Sequence, residues 1–163
     1  PMHVIAAAET QNDRQKKLLG EKMAAHYGSL ANLKGKTIAV WGLAFKPNTD
    51  DTREAPAFKI IERLLDEGAT ISTYDPEATE NTRRIFGDRI AYATSAHETL
   101  AGADALLIAT EWNEFRKPDF ASVKNALSEP IIFDGRNLYE LQTMENAGFE
   151  YHSIGRRTIL PKR

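Results

Sequence analysis

From residue 36 onward, short apolar runs alternate with longer amphipathic stretches, with polar or glycine-containing loops between them. Apolar runs of four to eight residues bounded by turn signals are the mark of strands. They predict strands at 36–41, 69–74, 104–109, 131–134 and 149–153. The runs at 104–109 and 130–133 are nearly continuous, as expected of strands covered on both faces. Helices are expected at 56–67, 77–86, 96–101, 119–127 and 138–147. Pro56 suits a first helical turn, and Gly68 stands where a helix closes before the next strand. Strand and helix in repeated alternation imply an α/β fold with a doubly wound, mostly parallel sheet.

The first 35 residues follow another rule. Residues 4–27 contain Gly20 as their one glycine, lack proline, and are rich in helix formers, so a long amino-terminal helix is expected. Its middle, 9–17, has no apolar stripe. A helix polar all round bridges domains or faces solvent instead of lying on a core. The chain opens at Pro1-Met2-His3 already within this helical pattern, from which we expect a segment of a longer protein.

Bulk properties narrow the class. A chain of 163 residues can bury roughly 70% of its unfolded surface, enough for one good core. A net charge of −2 gives no footprint for nucleic acid or an anionic membrane, and no apolar run approaches the length of a membrane span. There are no cysteines, which excludes disulfides, thiolate metal sites and a thiol nucleophile within this chain. A cytoplasmic protein is expected.

In doubly wound sheets the ligand lies at the carboxyl ends of the strands, near the point where strand order reverses. Loops 42–54, 110–118 and 134–137 therefore matter, and they carry Lys46, Arg53, Glu111, Trp112 and Arg136. Two guanidinium groups and an ammonium on one edge would suit phosphates. Lys46 and Arg136 are expected on adjacent strand ends. The dinucleotide fingerprint G-x-G-x-x-G is not met, because Gly42 is followed by Ala44 and Pro47 where glycines are required. Asp75, ending the second strand, stands where an acidic residue binds an NAD ribose, but Pro76 after it favours a turn or helix cap. The run 48–52 lacks the glycine and glutamate of a calcium loop. His3, His26, His97 and His152 show no ligand spacing, so no metal site is expected.

The stretch Gly42-Leu43-Ala44-Phe45-Lys46-Pro47-Asn48-Thr49-Asp50-Asp51-Thr52-Arg53-Glu54-Ala55-Pro56 resembles the opening of the carboxyl-terminal domain of the UDP-glucose and GDP-mannose dehydrogenase family. Tyr74-Asp75-Pro76, Thr110-Glu111-Trp112-Asn113-Glu114-Phe115 and Phe133-Asp134-Gly135-Arg136-Asn137 agree in order and spacing. So do Gly148-Phe149-Glu150-Tyr151 and Ile154-Gly155-Arg156, and the combination is most similar to the bacterial UDP-glucose members. The resemblance implies a Rossmann-like nucleotide-sugar (UDP)-binding domain over 36–157 and a tail at 158–163. Residues 1–28 would be the end of the central helix that links two domains and supports a homodimer.

Further implications concern chemistry. The family oxidises a sugar alcohol to a carboxylate with two NAD⁺, using an amino-terminal NAD domain, a catalytic cysteine and a lysine that this chain does not supply. No catalytic residue is therefore assigned here, and the chain alone is expected to be inactive. By position, Phe45, Lys46 and Arg136 resemble residues that bind the nucleotide sugar, and Arg53 one that reaches the NAD pyrophosphate. The partners implied are UDP-glucose or a related nucleotide sugar and the NAD-binding domain. UDP-N-acetylhexosamine or GDP-mannose as substrate, a free-standing nucleotide-binding module, and an oligomerisation element acting through the first helix are the competing readings.

Overall fold

A computed structural model of the chain describes residues 17–161. Among these, six strands form one sheet: β1 (Thr37–Trp41), β2 (Thr70–Tyr74), β3 (Ala91–Tyr92), β4 (Ala105–Ile108), β5 (Ile131–Asp134) and β6 (Glu150–Ser153). Their spatial order is β3-β2-β1-β4-β5-β6, and every neighbouring pair is parallel. This is the doubly wound, Rossmann-like arrangement, with its reversal of strand order between β1 and β4. All four residues of β4 and of β5 are buried, as their apolar runs require, and Asp134 at the end of β5 is buried with them. Strand β3 was not expected, since two residues leave no pattern to read.

Among the described residues five helices flank the sheet: α1 (17–27), α2 (Pro56–Asp66), α3 (Thr79–Phe86), α4 (Phe120–Ala126) and α5 (Leu141–Ala147). In α2, Ala57, Ile60, Ile61 and Leu64 recur at helical spacing and form the buried stripe. Pro56 occupies its first turn, and Gly68, at φ +84°, turns the chain toward β2. Asp119 caps α4 by accepting the N–H groups of Ala121 and Ser122. The helix expected at 96–101 is instead a 3-10 turn, His97–Leu100. It is pinned to the end of β1, where the Trp41 indole N–H is shared between Ala96 O and Thr99 Oγ1, both at 2.9 Å.

Helix α1 is anchored by Leu19 and Met23, which enter the core. It runs from Gly135, where Leu19 sits, to His26 beside Glu150 at the start of β6. Most of the polar stretch 9–17 lies outside the described residues. After β6 the chain doubles back: Tyr151 and Ile159 exchange backbone hydrogen bonds of 2.9 and 3.0 Å, and Ile159 is buried. Among the described residues, no helix is long and apolar enough to cross a membrane.

Candidate functional site

The loops at the carboxyl ends of β1, β4 and β5 are tied to one another before any ligand is considered. Gly42 leaves β1 at φ +93°, and a Cβ there would lie 2.5 Å from Thr110 Cβ. Only glycine permits that approach. Thr110 in turn donates its hydroxyl to Ala44 O at 2.7 Å, stitching loop 42–54 to loop 110–118.

Asp75 completes the joint. Its Oδ2 accepts Leu43 N (2.7 Å), Ala44 N (3.0 Å) and Trp112 Nε1 (3.0 Å), while Oδ1 accepts Glu77 N (2.9 Å) and Ala78 N (2.7 Å). The residue is 3% exposed. Its lone pairs are thus directed at the protein, and the turn-and-cap reading of Asp75 holds over a ribose contact. The same bonds decide the fit to a dinucleotide. A pyrophosphate cradle needs free backbone N–H groups in the turn after β1, and here two of those groups already serve Asp75. Helix α2 begins only at Pro56, beyond the whole loop. This domain does not fit NAD in the usual dinucleotide pose.

What the loop presents is side chains. Phe45 is 44% exposed, although its N–H closes the loop on Asp51 O at 2.7 Å. Lys46 beside it is exposed. Arg53 is held in a fork by Asp51: Nε and Nη2 donate to the two carboxylate oxygens at 2.9 and 2.8 Å, and Arg53 N donates at 3.0 Å. These bonds hold the Asp51 carboxyl well below its ordinary range, at about 2. The Arg53 side chain nevertheless remains 89% exposed. A depression of about 580 Å³ opens beside it, lined by residues 49–53 with Asn81, Arg84 and Ile85.

Arg136 lies on the loop after β5, half-buried, with its Nε donated to the Glu111 carboxylate on the loop after β4. Its backbone N–H bonds Asp134 Oδ1 at 2.8 Å. Asp134 is wholly buried and also accepts Leu138 N (2.8 Å) and Tyr151 OH (2.7 Å), while Arg156 donates to Tyr151 OH at 3.0 Å. Burial pushes the Asp134 pKa up despite these bonds and the Arg156 charge.

The fold therefore brings Phe45, Lys46 and Arg53 together on one loop, and Arg136 onto another. Their strand ends are not adjacent as expected: β4 lies between β1 and β5, which sets the two loops roughly 10 Å apart at ordinary strand spacing. Glu111 follows β4, the strand between them, and pairs with Arg136. Its pairing with Arg136 and the link from Trp112 to Asp75 could not be drawn from the sequence, because both depend on strand order.

Residues 39–141 match the UDP binding domain of the UDP-glucose/GDP-mannose dehydrogenase family. The chain is 42% identical over 159 residues to the UDP-glucose 6-dehydrogenase TuaD of Bacillus subtilis, covering 98% of this chain and 34% of that protein. Among solved structures it is similar to a UDP-glucose dehydrogenase from Pyrobaculum islandicum, at TM-score 0.62 and 32% identity, covering 82% of this chain and 28% of that one. A UDP-D-ManNAc dehydrogenase from Pyrococcus horikoshii aligns at TM-score 0.65 and 30% identity, over 86% and 30% of the two chains. The chain spans about a third of the length of the curated relatives it matches.

Proposed function

Because this chain belongs to the UDP-glucose/GDP-mannose dehydrogenase family, we propose that it is the carboxyl-terminal, nucleotide-sugar-binding part of a UDP-glucose 6-dehydrogenase. The whole enzyme would oxidise UDP-glucose to UDP-glucuronate with two NAD⁺, in the cytoplasm. Residues 1–28 would end the helix that joins the NAD-binding domain and supports a homodimer, 36–157 would hold the nucleotide sugar, and 158–163 would follow as a tail. With no cysteine, this chain cannot form the covalent sugar intermediates, so it binds and positions but does not oxidise.

One observation carries the assignment of the binding half. The loop after β1 uses its backbone donors on Asp75 and offers Phe45 and Lys46 to the outside, so it is built to meet a ligand with side chains. Phe45 and Lys46 would contact the nucleotide sugar, with Arg136 reaching it from the far side of Glu111. Arg53, oriented by Asp51 and open to solvent, suits the pyrophosphate of an NAD held by the other domain. Fixing substrate and cofactor in one geometry is itself a catalytic contribution.

Calorimetric titration of the chain with UDP-glucose, UDP and GDP-mannose tests this reading. UDP-glucose and UDP should bind, and GDP-mannose more weakly. Tighter binding of GDP-mannose would move the chain to the GDP-mannose branch. Binding of none would remove the nucleotide-sugar assignment.

A further inference from the structure

Two histidines far apart in sequence meet on a single carboxylate. His26, near the end of α1, places Nδ1 2.6 Å from Glu150 Oε1, and His152 places Nε2 2.7 Å from the same oxygen. Glu150 and His152 are two apart on β6, so both project from one face of the sheet. We propose that His26, Glu150 and His152 form a site for a divalent transition-metal ion of the zinc class.

Geometry and surroundings both favour a cation. The three donor atoms lie within 4.8 Å of one another, and among the described residues this is the group of His, Cys, Asp or Glu side chains that meets so closely. Zinc sits about 2.0–2.2 Å from imidazole nitrogen and carboxylate oxygen, which sets tetrahedral ligand atoms roughly 3.3–3.6 Å apart, so the Glu150 carboxylate must withdraw from both rings by about 0.7 Å to admit an ion. The shell is pre-formed. His152 stacks on Phe133 with ring centroids 4.7 Å apart and 18° between planes. The His26 ring meets Tyr27 edge-on at 4.6 Å. Side-chain exposures of 18% for His26, 17% for Glu150 and 10% for His152 leave the donors sheltered but reachable.

Two imidazoles and one carboxylate match the preferences of zinc, cobalt or nickel, whereas calcium and magnesium call for oxygen ligands. In the metal-free form each ring N–H can donate to Glu150. On binding, each neutral imidazole carries its proton on the other ring nitrogen and offers the freed lone pair, with no net proton change. Lys22, one turn before His26 on α1, bears electrostatically on His152 and works against a bound cation. The ion would cross-link α1 to β6, fixing the helix against the sheet.

The test is calorimetric titration of the metal-free chain with Zn²⁺, with Co²⁺ absorption as a second readout. One ion per chain should bind, Co²⁺ should give the visible bands of a low-coordinate nitrogen–oxygen site, and Zn²⁺ should raise Tm. His26→Ala and Glu150→Gln should each weaken binding by roughly tenfold or more. Glu150→Gln retains an oxygen acceptor, which protects the fold. Lys22→Met should tighten binding, and exposed His97→Ala should leave it unchanged. Absence of one-to-one binding in the unaltered chain overturns the site. So does affinity retained in both His26→Ala and Glu150→Gln, or lost in His97→Ala.

Discussion

Trp112 donates its indole N–H to Asp75 at 3.0 Å, joining the loop after β4 to the end of β2 across the strand between them. The same carboxylate oxygen receives the N–H groups of Leu43 and Ala44. Asp75→Asn keeps the shape but turns one acceptor into a donor, so at least two N–H groups face an amide that cannot accept. We expect a loss of roughly 2–5 kcal/mol, read as a lower urea midpoint at unchanged slope. A loss below about 1 kcal/mol would show that the joint is not held by this charge.

Arg136 and Lys46 carry the proposed substrate contacts from opposite sides of Glu111. In the complete enzyme, Lys46→Ala or Arg136→Ala should lower kcat/KM for UDP-glucose by roughly tenfold to several hundredfold. Thermal stability should hardly change, because Lys46 is exposed and the Arg136 side chain is 30% open. Arg136→Lys should rescue little, since an ammonium cannot pair with Glu111 and a ligand as a planar fork does. Wild-type kinetics in both alanine variants would refute the assignment.

Asp51 and Arg53 make a prediction in acid. Carbon-detected NMR titration should give Asp51 a pKa of about 2, and Arg53→Ala should return it to the ordinary carboxylate range. The folded pKa lies below the unfolded one, so the pair's stabilisation is present above the unfolded value and lost as pH falls toward about 2. Its exposure keeps that stabilisation small. In the complete enzyme Arg53→Ala should mainly weaken NAD binding, by roughly tenfold or more. A rise confined to the KM for UDP-glucose would reassign Arg53 to the substrate.

Asp134 should behave with the opposite sign. Its folded pKa is raised by burial, so its contribution is fully present below the unfolded carboxylate value and lost as pH rises through the folded one. Urea unfolding of the unaltered chain and of Asp134→Asn across the acid range should show their stability difference shifting toward the variant as pH rises. A difference that shifts the other way would mean that Tyr151, the two backbone N–H groups and Arg156 outweigh burial.

Much of this architecture was legible before the structure, and particular residues show why. Strands β4 and β5 announce themselves because burial on both faces demands continuous apolar residues. The loops were legible as well, since the carboxyl ends of parallel strands follow from the alternation itself. The histidines were not: His26 and His152 show no spacing pattern, and only the seating of α1 across β5 and β6 brings them to Glu150. The sequence marks Asp75 as a cap, yet its reach to Trp112 follows only from β1 and β4 being neighbours. The helix expected at 96–101 yielded to a tighter turn because Trp41 fastens Ala96 and Thr99, leaving too few residues before Gly102 for an α-helix.

The short return of the chain onto β6 bears on how copies of this protein meet. An open sheet offers two rows of unpaired backbone groups, each a template for a strand from another molecule. On one side Ile159 already satisfies the outward N–H and C=O of Tyr151, the middle of β6. On the other, β3 is only two residues long, too short to seat a partner strand. Both margins are thus closed to intermolecular strand addition, and assembly is directed to surfaces made of helices and side chains. Removing the residues after 157 would reopen the β6 margin, and light scattering should then detect association beyond that of the intact chain.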